Sequence, residues 1–143
     1  MLKVTDLTVH YGAIQALRGI SFDVNEGEII TLIGSNGAGK TTTLHSVSNI
    51  IKKTSGRLEL HGNYIKNVSA DSIVKTGLIQ VPEGRRVFAN MSVKENLEMG
   101  AYTRKDKAGI KTDMEKVYEL FPRLIERIKQ LSGTLSGGEQ QML

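Results

Sequence analysis

The chain has 143 residues, a net charge of +4, no cysteine and an ordinary 39% of apolar residues. That length allows about one soluble domain able to bury a core without a disulfide or metal staple. The missing cysteines exclude thiol catalysis and cysteine zinc sites, and nothing resembles a signal peptide or an apolar run long enough to cross a bilayer. A cytosolic chain is expected, unless a partner holds it at a membrane. The basic runs at 52–53 and 104–107 read as solvated turns.

Residues 2–10 alternate apolar and polar positions through Leu2, Val4, Leu7 and Val9, which predicts a strand. Tyr11, Gly12 and Ala13 turn the chain back into a second strand over 14–24, with Ile20, Phe22 and Val24 on one face. After a turn at 25–27, the β-branched run 28–33 has the composition of a strand buried on both faces of a parallel sheet. A glycine-rich loop follows, then a helix from Lys40 to about Ile51.

Residues 56–61 predict another strand, closed by Gly62 and Asn63, and 77–81 a second buried-type strand ending at Pro82. Ser92 and Glu95 form a capping box for a helix running to about Met99, with Gly100 as its stop. From Asp113 the positions Met114, Val117, Phe121, Leu124, Ile128 and Leu131 recur at helical spacing. Pro122 interrupts them and predicts two helices. The order of elements indicates an α/β protein.

Gly34, Ser35, Asn36, Gly37, Ala38, Gly39, Lys40 and Thr41 match the phosphate-loop pattern G-x-x-x-x-G-K-[ST] at every fixed position. The glycines let the backbone wrap a polyphosphate and aim N–H groups inward, where a Cβ would obstruct. The helix start adds its unpaired N–H groups and its dipole. Lys40 supplies a full charge for the β- and γ-phosphates, and the Thr41 hydroxyl a ligand for Mg²⁺. Thr42 completes the candidate nucleotide-binding set.

A second motif, Leu135-Ser136-Gly137-Gly138-Glu139, is on physical grounds a capping box carrying two glycines. Downstream of a phosphate loop, this LSGGE string resembles the signature sequence of ABC-family ATPases. The resemblance runs from Val4 to Leu143. VPEGRRVF at 81–88, SVKENLEMGAY from Ser92 and GTLSGGEQQML from Gly133 are similar to the ATPase subunits of branched-chain amino-acid importers.

The resemblance implies the fold of a P-loop NTPase: an N-terminal antiparallel β part, a parallel-sheet core and a helical subdomain. It divides the chain into a β-plus-core lobe at 1–83, a helical subdomain at 84–134, and the signature with the start of its helix at 135–143. It implies ATP and Mg²⁺ as ligands, with Tyr11 stacked on adenine. It implies a second ATPase subunit meeting the first head to tail, so that Ser136, Gly137 and Gly138 cover the partner's γ-phosphate. Transmembrane permease subunits would hold the pair at the cytoplasmic face of the inner membrane. No nucleic acid is expected, and no direct contact with the transported cargo.

Counting back from Ser92, Glu83 falls where family members carry a Gln that helps ligate Mg²⁺, and Gln80 lies inside the strand. A carboxylate at 83 is either a hard oxygen donor for the metal or a charge that repels the γ-phosphate until the metal neutralises the site. The family's second acidic strand, its hydrolytic Glu and its switch His have no counterpart in residues 1–143, so no complete catalytic set is expected here. His10, His45 and His61 all precede Glu83 and none fits the switch position. The resemblance implies a chain truncated before that strand. Other cargoes (urea, lipid, lipopolysaccharide) and a soluble ABC ATPase of DNA repair or translation are the alternatives, as is a non-catalytic nucleotide-binding module. A short gap between the two motifs, with no heptad insertion, weighs against the soluble class.

Overall fold

The computed structural model describes residues 1–65 and 68–143. The chain forms two compact units, Met1–Gln80 and Val81–Leu143.

In the first unit, β1 (Leu2–Tyr11) pairs antiparallel with β2 (Ile14–Val24) and, on its other edge, with β3 (Ser55–Leu60). The two-residue strand β4 (Asn63–Tyr64) closes the sheet in the order β2-β1-β3-β4. The alternation in β1 puts Val4, Leu7 and Val9 on the buried face, where Leu17, Leu58 and Leu60 join them. Each such side chain contributes about 1.5–3 kcal/mol when withdrawn from water. Register shifts around Asp6 bring that backbone against β3. A Cβ at residue 56 would lie 2.7 Å from both Asp6 O and Leu7 Cα, so Gly56, at φ +103°, has no substitute there.

Helix α1 (Lys40–Val47) packs Val47 on this core and buries Thr43 and Ser46 as well. Their hydroxyls donate to Gly39 O at 2.9 Å and Thr42 O at 2.6 Å, which satisfies both groups. The helix ends earlier than the expected Ile51, because the Ile50 and Ile51 amides both turn back to His45 O. A short helix absent from the sequence reading, α2 (Ala70–Lys75), seals the core with Ile73.

The two buried-type strands do not form. Residues 28–33 and 77–81 carry no ladder, and Ile29 and Ile33 are 94% and 92% exposed. Among the described residues the sheet is wholly antiparallel. A strand of this kind exists only where neighbours on both sides take up its N–H and C=O groups, and neither run finds one.

In the second unit, α3 (Val93–Gly100) begins with the expected capping box: Ser92 Oγ accepts from the Glu95 amide and the Glu95 carboxylate accepts from the Ser92 amide. Helix α4 (Lys107–Leu120) starts six residues before the expected Asp113. Pro122 is the first residue of α5 (Pro122–Glu126), and Phe121 between the two helices leaves helical geometry at φ −129°. Instead of continuing to Leu131, the helix gives way to turns over 127–130, whose carbonyls meet the start of α3: Val93 N donates to Gln130 O and Lys94 N to Ile128 O, both at 3.0 Å. A 3₁₀ turn (Ser132–Thr134) leads into α6 (Gly137–Met142). Val93, Leu124 and Leu135 form the core, with Leu97, Val117, Ile128 and Leu143 packed around it.

Candidate functional site

The loop 34–39 joins the unpaired run 28–33 to α1. Gly37 and Gly39 adopt φ +85° and +92°, the left-handed conformations that let so short a loop reverse twice. Gly39 is also held from behind: a Cβ there would lie 2.6 Å from Leu17 Cδ2 and 3.2 Å from Ala16 O. The start of α1 has no side-chain cap and no acidic residue in its first turn. Its leading N–H groups are therefore free to receive an external acceptor.

Lys40 folds back over the loop, and its Nζ donates to Gly34 O and Ser35 O, each at 2.8 Å. Among the described residues no carboxylate lies within ion-pair distance of it. The Lys40 Nζ thus sits against two neutral carbonyls. Thr41 is exposed on the first turn, and Thr42 is half-buried beside it. The Tyr11 hydroxyl approaches Thr42 Oγ1 at 3.5 Å, the outer limit of a hydrogen bond, and the ring is 47% exposed at the end of β1. Tyr11 at the end of β1 and Thr42 on the first turn of α1 therefore meet. A polyphosphate with a divalent ion fits the chemistry of these groups: uncapped amides at the start of α1, an ammonium held only by two neutral carbonyls, and an exposed hydroxyl. His45 is half-buried in the last turn of α1 and stands apart from these groups.

Gln80 ends the first unit with its Oε1 buried and without a partner among the described residues. Glu83 lies exposed in the second unit, on a bend whose carbonyl accepts from Arg86 Nε at 3.3 Å. In the same unit, Ser136 caps α6: the Glu139 amide donates to Ser136 Oγ at 3.4 Å and the Ser136 amide to Glu139 Oε2 at 2.9 Å. Hydrogen bonds from Ser136, and then Arg127 at 2.6 Å, hold the Glu139 carboxyl below its usual range. Glu95 is lowered in the same way by Ser92.

Two residues that the sequence reading passed over organise this region. Asn96 Oδ1 accepts from Phe88 N at 2.8 Å, and its Nδ2 donates to Ser132 Oγ at 2.8 Å. The Arg85 guanidinium lies beside Gly137. The Asn96–Ser132 and Arg85–Gly137 contacts have no local signature, because each joins residues more than 35 positions apart.

A family model described as "ABC transporter" matches residues 17–143. The high-affinity branched-chain amino acid transport ATP-binding protein BraG of Pseudomonas aeruginosa is 46% identical over the whole chain, which covers 61% of that protein. A probable branched-chain amino acid transport ATP-binding protein, LivF of Archaeoglobus fulgidus, is 36% identical over the whole chain and is covered to 60%. The chain therefore spans about three fifths of these relatives. Among solved structures, an ATP binding subunit of an ABC transporter superposes with a TM-score of 0.85 at 26% identity, over 99% of this chain and 58% of that one. A nucleotide-free ATP-binding cassette from an ABC transporter gives 0.77 at 25% identity, over 98% and 60%.

Proposed function

This chain belongs to the ABC transporter family, and from that premise we propose that it binds ATP with Mg²⁺ as part of the ATPase subunit of a bacterial branched-chain amino-acid importer. The observation that carries the reading is the Lys40 ammonium, held over the loop by two carbonyls alone. Gly34, Ser35, Asn36, Gly37, Ala38 and Gly39 wrap the phosphates with backbone amides, and Lys40 exchanges its two carbonyls for phosphate oxygens. The Thr41 hydroxyl ligates Mg²⁺, Thr42 lines the same turn, and the exposed Tyr11 ring offers a face to the adenine. Bound metal would neutralise phosphate charge, and the family register would make Glu83 either an oxygen donor to that metal or a charge that repels the γ-phosphate until the metal is bound.

Leu135, Ser136, Gly137, Gly138 and Glu139 serve the nucleotide of a second subunit, in a head-to-tail pair. The pair works at the cytoplasmic face of the inner membrane through permease subunits, and neither the cargo nor nucleic acid touches it. Residues 1–83, 84–134 and 135–143 are the corresponding functional parts. The names of the two relatives, matched over the whole chain, support the choice of cargo.

Calorimetric titration with ATP and Mg²⁺ tests the core of this reading. Lys40→Ala, which keeps the backbone cradle and removes its charge, is expected to weaken binding at least tenfold, a loss of about 1.4 kcal/mol or more. Equal affinity of wild type and variant would overturn it.

A further inference from the structure

Arg85 has φ +50°, a left-handed backbone that a long side chain keeps only where its surroundings fix it. Gly84 before it is at φ +86°, and the Val87 amide closes onto Arg85 O at 2.8 Å. This tight reversal brings the side chain to the first turn of α6. A Cβ at residue 137 would lie 2.5 Å from Arg85 Nη1, 2.9 Å from Cζ and 3.3 Å from Nη2. The guanidinium therefore fills the space that a side chain at 137 would occupy. Among the described residues no carboxylate pairs with Arg85, which is an exposed residue.

We propose that Arg85 is a positioning residue for the signature segment: its guanidinium, seated on Gly137, fixes the first turn of α6 to the loop 83–88. The far end of the same loop is tied independently, since Phe88 bonds Asn96, which bonds Ser132. The loop is thus anchored at both ends to the segment that carries Ser136 and Gly137, and a shift at Glu83 is carried to them. Its consequence for catalysis rests on the function proposed above, but the contact itself does not.

The test is amide hydrogen exchange of peptides covering 136–143, read in wild type, Arg85→Ala, Arg85→Lys, Gly137→Ala and the Arg85→Ala/Gly137→Ala double variant. Arg85→Ala is expected to speed exchange there by about three- to tenfold, the range of one modest polar contact. Exchange in α4 should stay unchanged, which shows the unit folded. Arg85→Lys should not restore protection, because an ammonium lacks the planar face. In the Gly137→Ala background, Arg85→Ala should add less than about twofold, since the new methyl group has already displaced the guanidinium. Unchanged exchange in Arg85→Ala, or two effects that multiply fully, would overturn the proposal. ATP titration of Arg85→Ala reads the nucleotide loop separately, so failure of the nucleotide reading is distinguishable from failure of this one.

Discussion

Asn96 donates from Nδ2 to the Oγ of Ser132 at 2.8 Å, joining α3 to the turn that enters α6. Ser132 is fully buried, and its carbonyl accepts in turn from Gln140 Nε2 at 3.1 Å. The other end of the Asn96 amide accepts from the Phe88 backbone. One side chain therefore holds three separate segments of the second unit. Asn96→Ala strands a buried hydroxyl and a backbone amide at once, and should cost about 2–3 kcal/mol. Asn96→Asp keeps the acceptor for Phe88 but turns a carboxylate oxygen toward the carbonyls of Phe88, Met91 and Ser92 that Nδ2 now serves, so it should cost at least as much. Urea unfolding followed by the helical circular dichroism of the three proteins checks the order, and a silent Asn96→Ala would refute it.

A second expectation concerns the glycines of the phosphate loop. Gly39→Ala meets both the left-handed backbone penalty and a clash with Leu17, which is only 3% exposed and cannot move aside. Gly37→Ala meets the backbone penalty alone, with nothing within 4 Å of its Cβ. Costs of about 2–4 and about 1 kcal/mol follow. Thermal melts should separate the two variants, with Gly39→Ala also losing ATP affinity. The reverse order would refute the packing argument.

The two capping boxes give the second unit an acid limb. Glu95 is lowered first by the Ser92 hydroxyl and then by its amide; Glu139 first by Ser136 and then by Arg127. A carboxyl whose folded value lies below its unfolded one stabilises above the unfolded value, about 4.3, and loses that contribution as pH falls through the folded value. Stability of the second unit should therefore be flat near neutrality and fall below about pH 4.5. Glu95→Gln and Glu139→Gln keep an acceptor for the cap amide, so the double variant should flatten the slope. Urea midpoints between pH 3 and 7 supply the measurement, and an unchanged slope would count against the caps.

What could be read in the sequence was what is locally determined. The glycine spacing of the phosphate loop, both Ser-x-x-Glu caps and the break at Pro122 each depend on a few consecutive residues, and each stands in the structure. The start of α4 was hidden because Gly109 breaks the apolar pattern and the stabilising contact is spatial: Arg104 bonds Asp106 and Asp113, each at 2.6 Å. Residues 28–33 have the right composition for a strand, but composition cannot supply a neighbour. The Asn96–Ser132 and Arg85–Gly137 contacts were illegible for the same reason, because the partners lie far apart along the chain.

The last expectation is that the 143-residue chain self-associates and hydrolyses ATP negligibly. Ile29 and Ile33 are almost fully exposed, Ile79 is 71% and Val81 88% exposed, and their backbones carry no ladder. Covering four such side chains is worth roughly 1.5–3 kcal/mol each, comparable with the lower estimates of what association costs in lost freedom. Open N–H and C=O groups add a template for strand pairing between chains. Ile29→Lys combined with Ile33→Lys should therefore shift the chain toward monomer, since a charge on each of these positions opposes both pairing and burial. On the chemical side, Lys40 and Thr41 can hold phosphates and metal, but among the described residues no carboxylate lies within ion-pair distance of Lys40 to orient an attacking water. Loss of such a base removes about 10²–10⁴-fold in rate. Light scattering on the purified chain and on the double-lysine variant, alongside a phosphate-release assay, measures both. A soluble wild-type monomer turning over ATP like an intact transporter ATPase would refute both halves together.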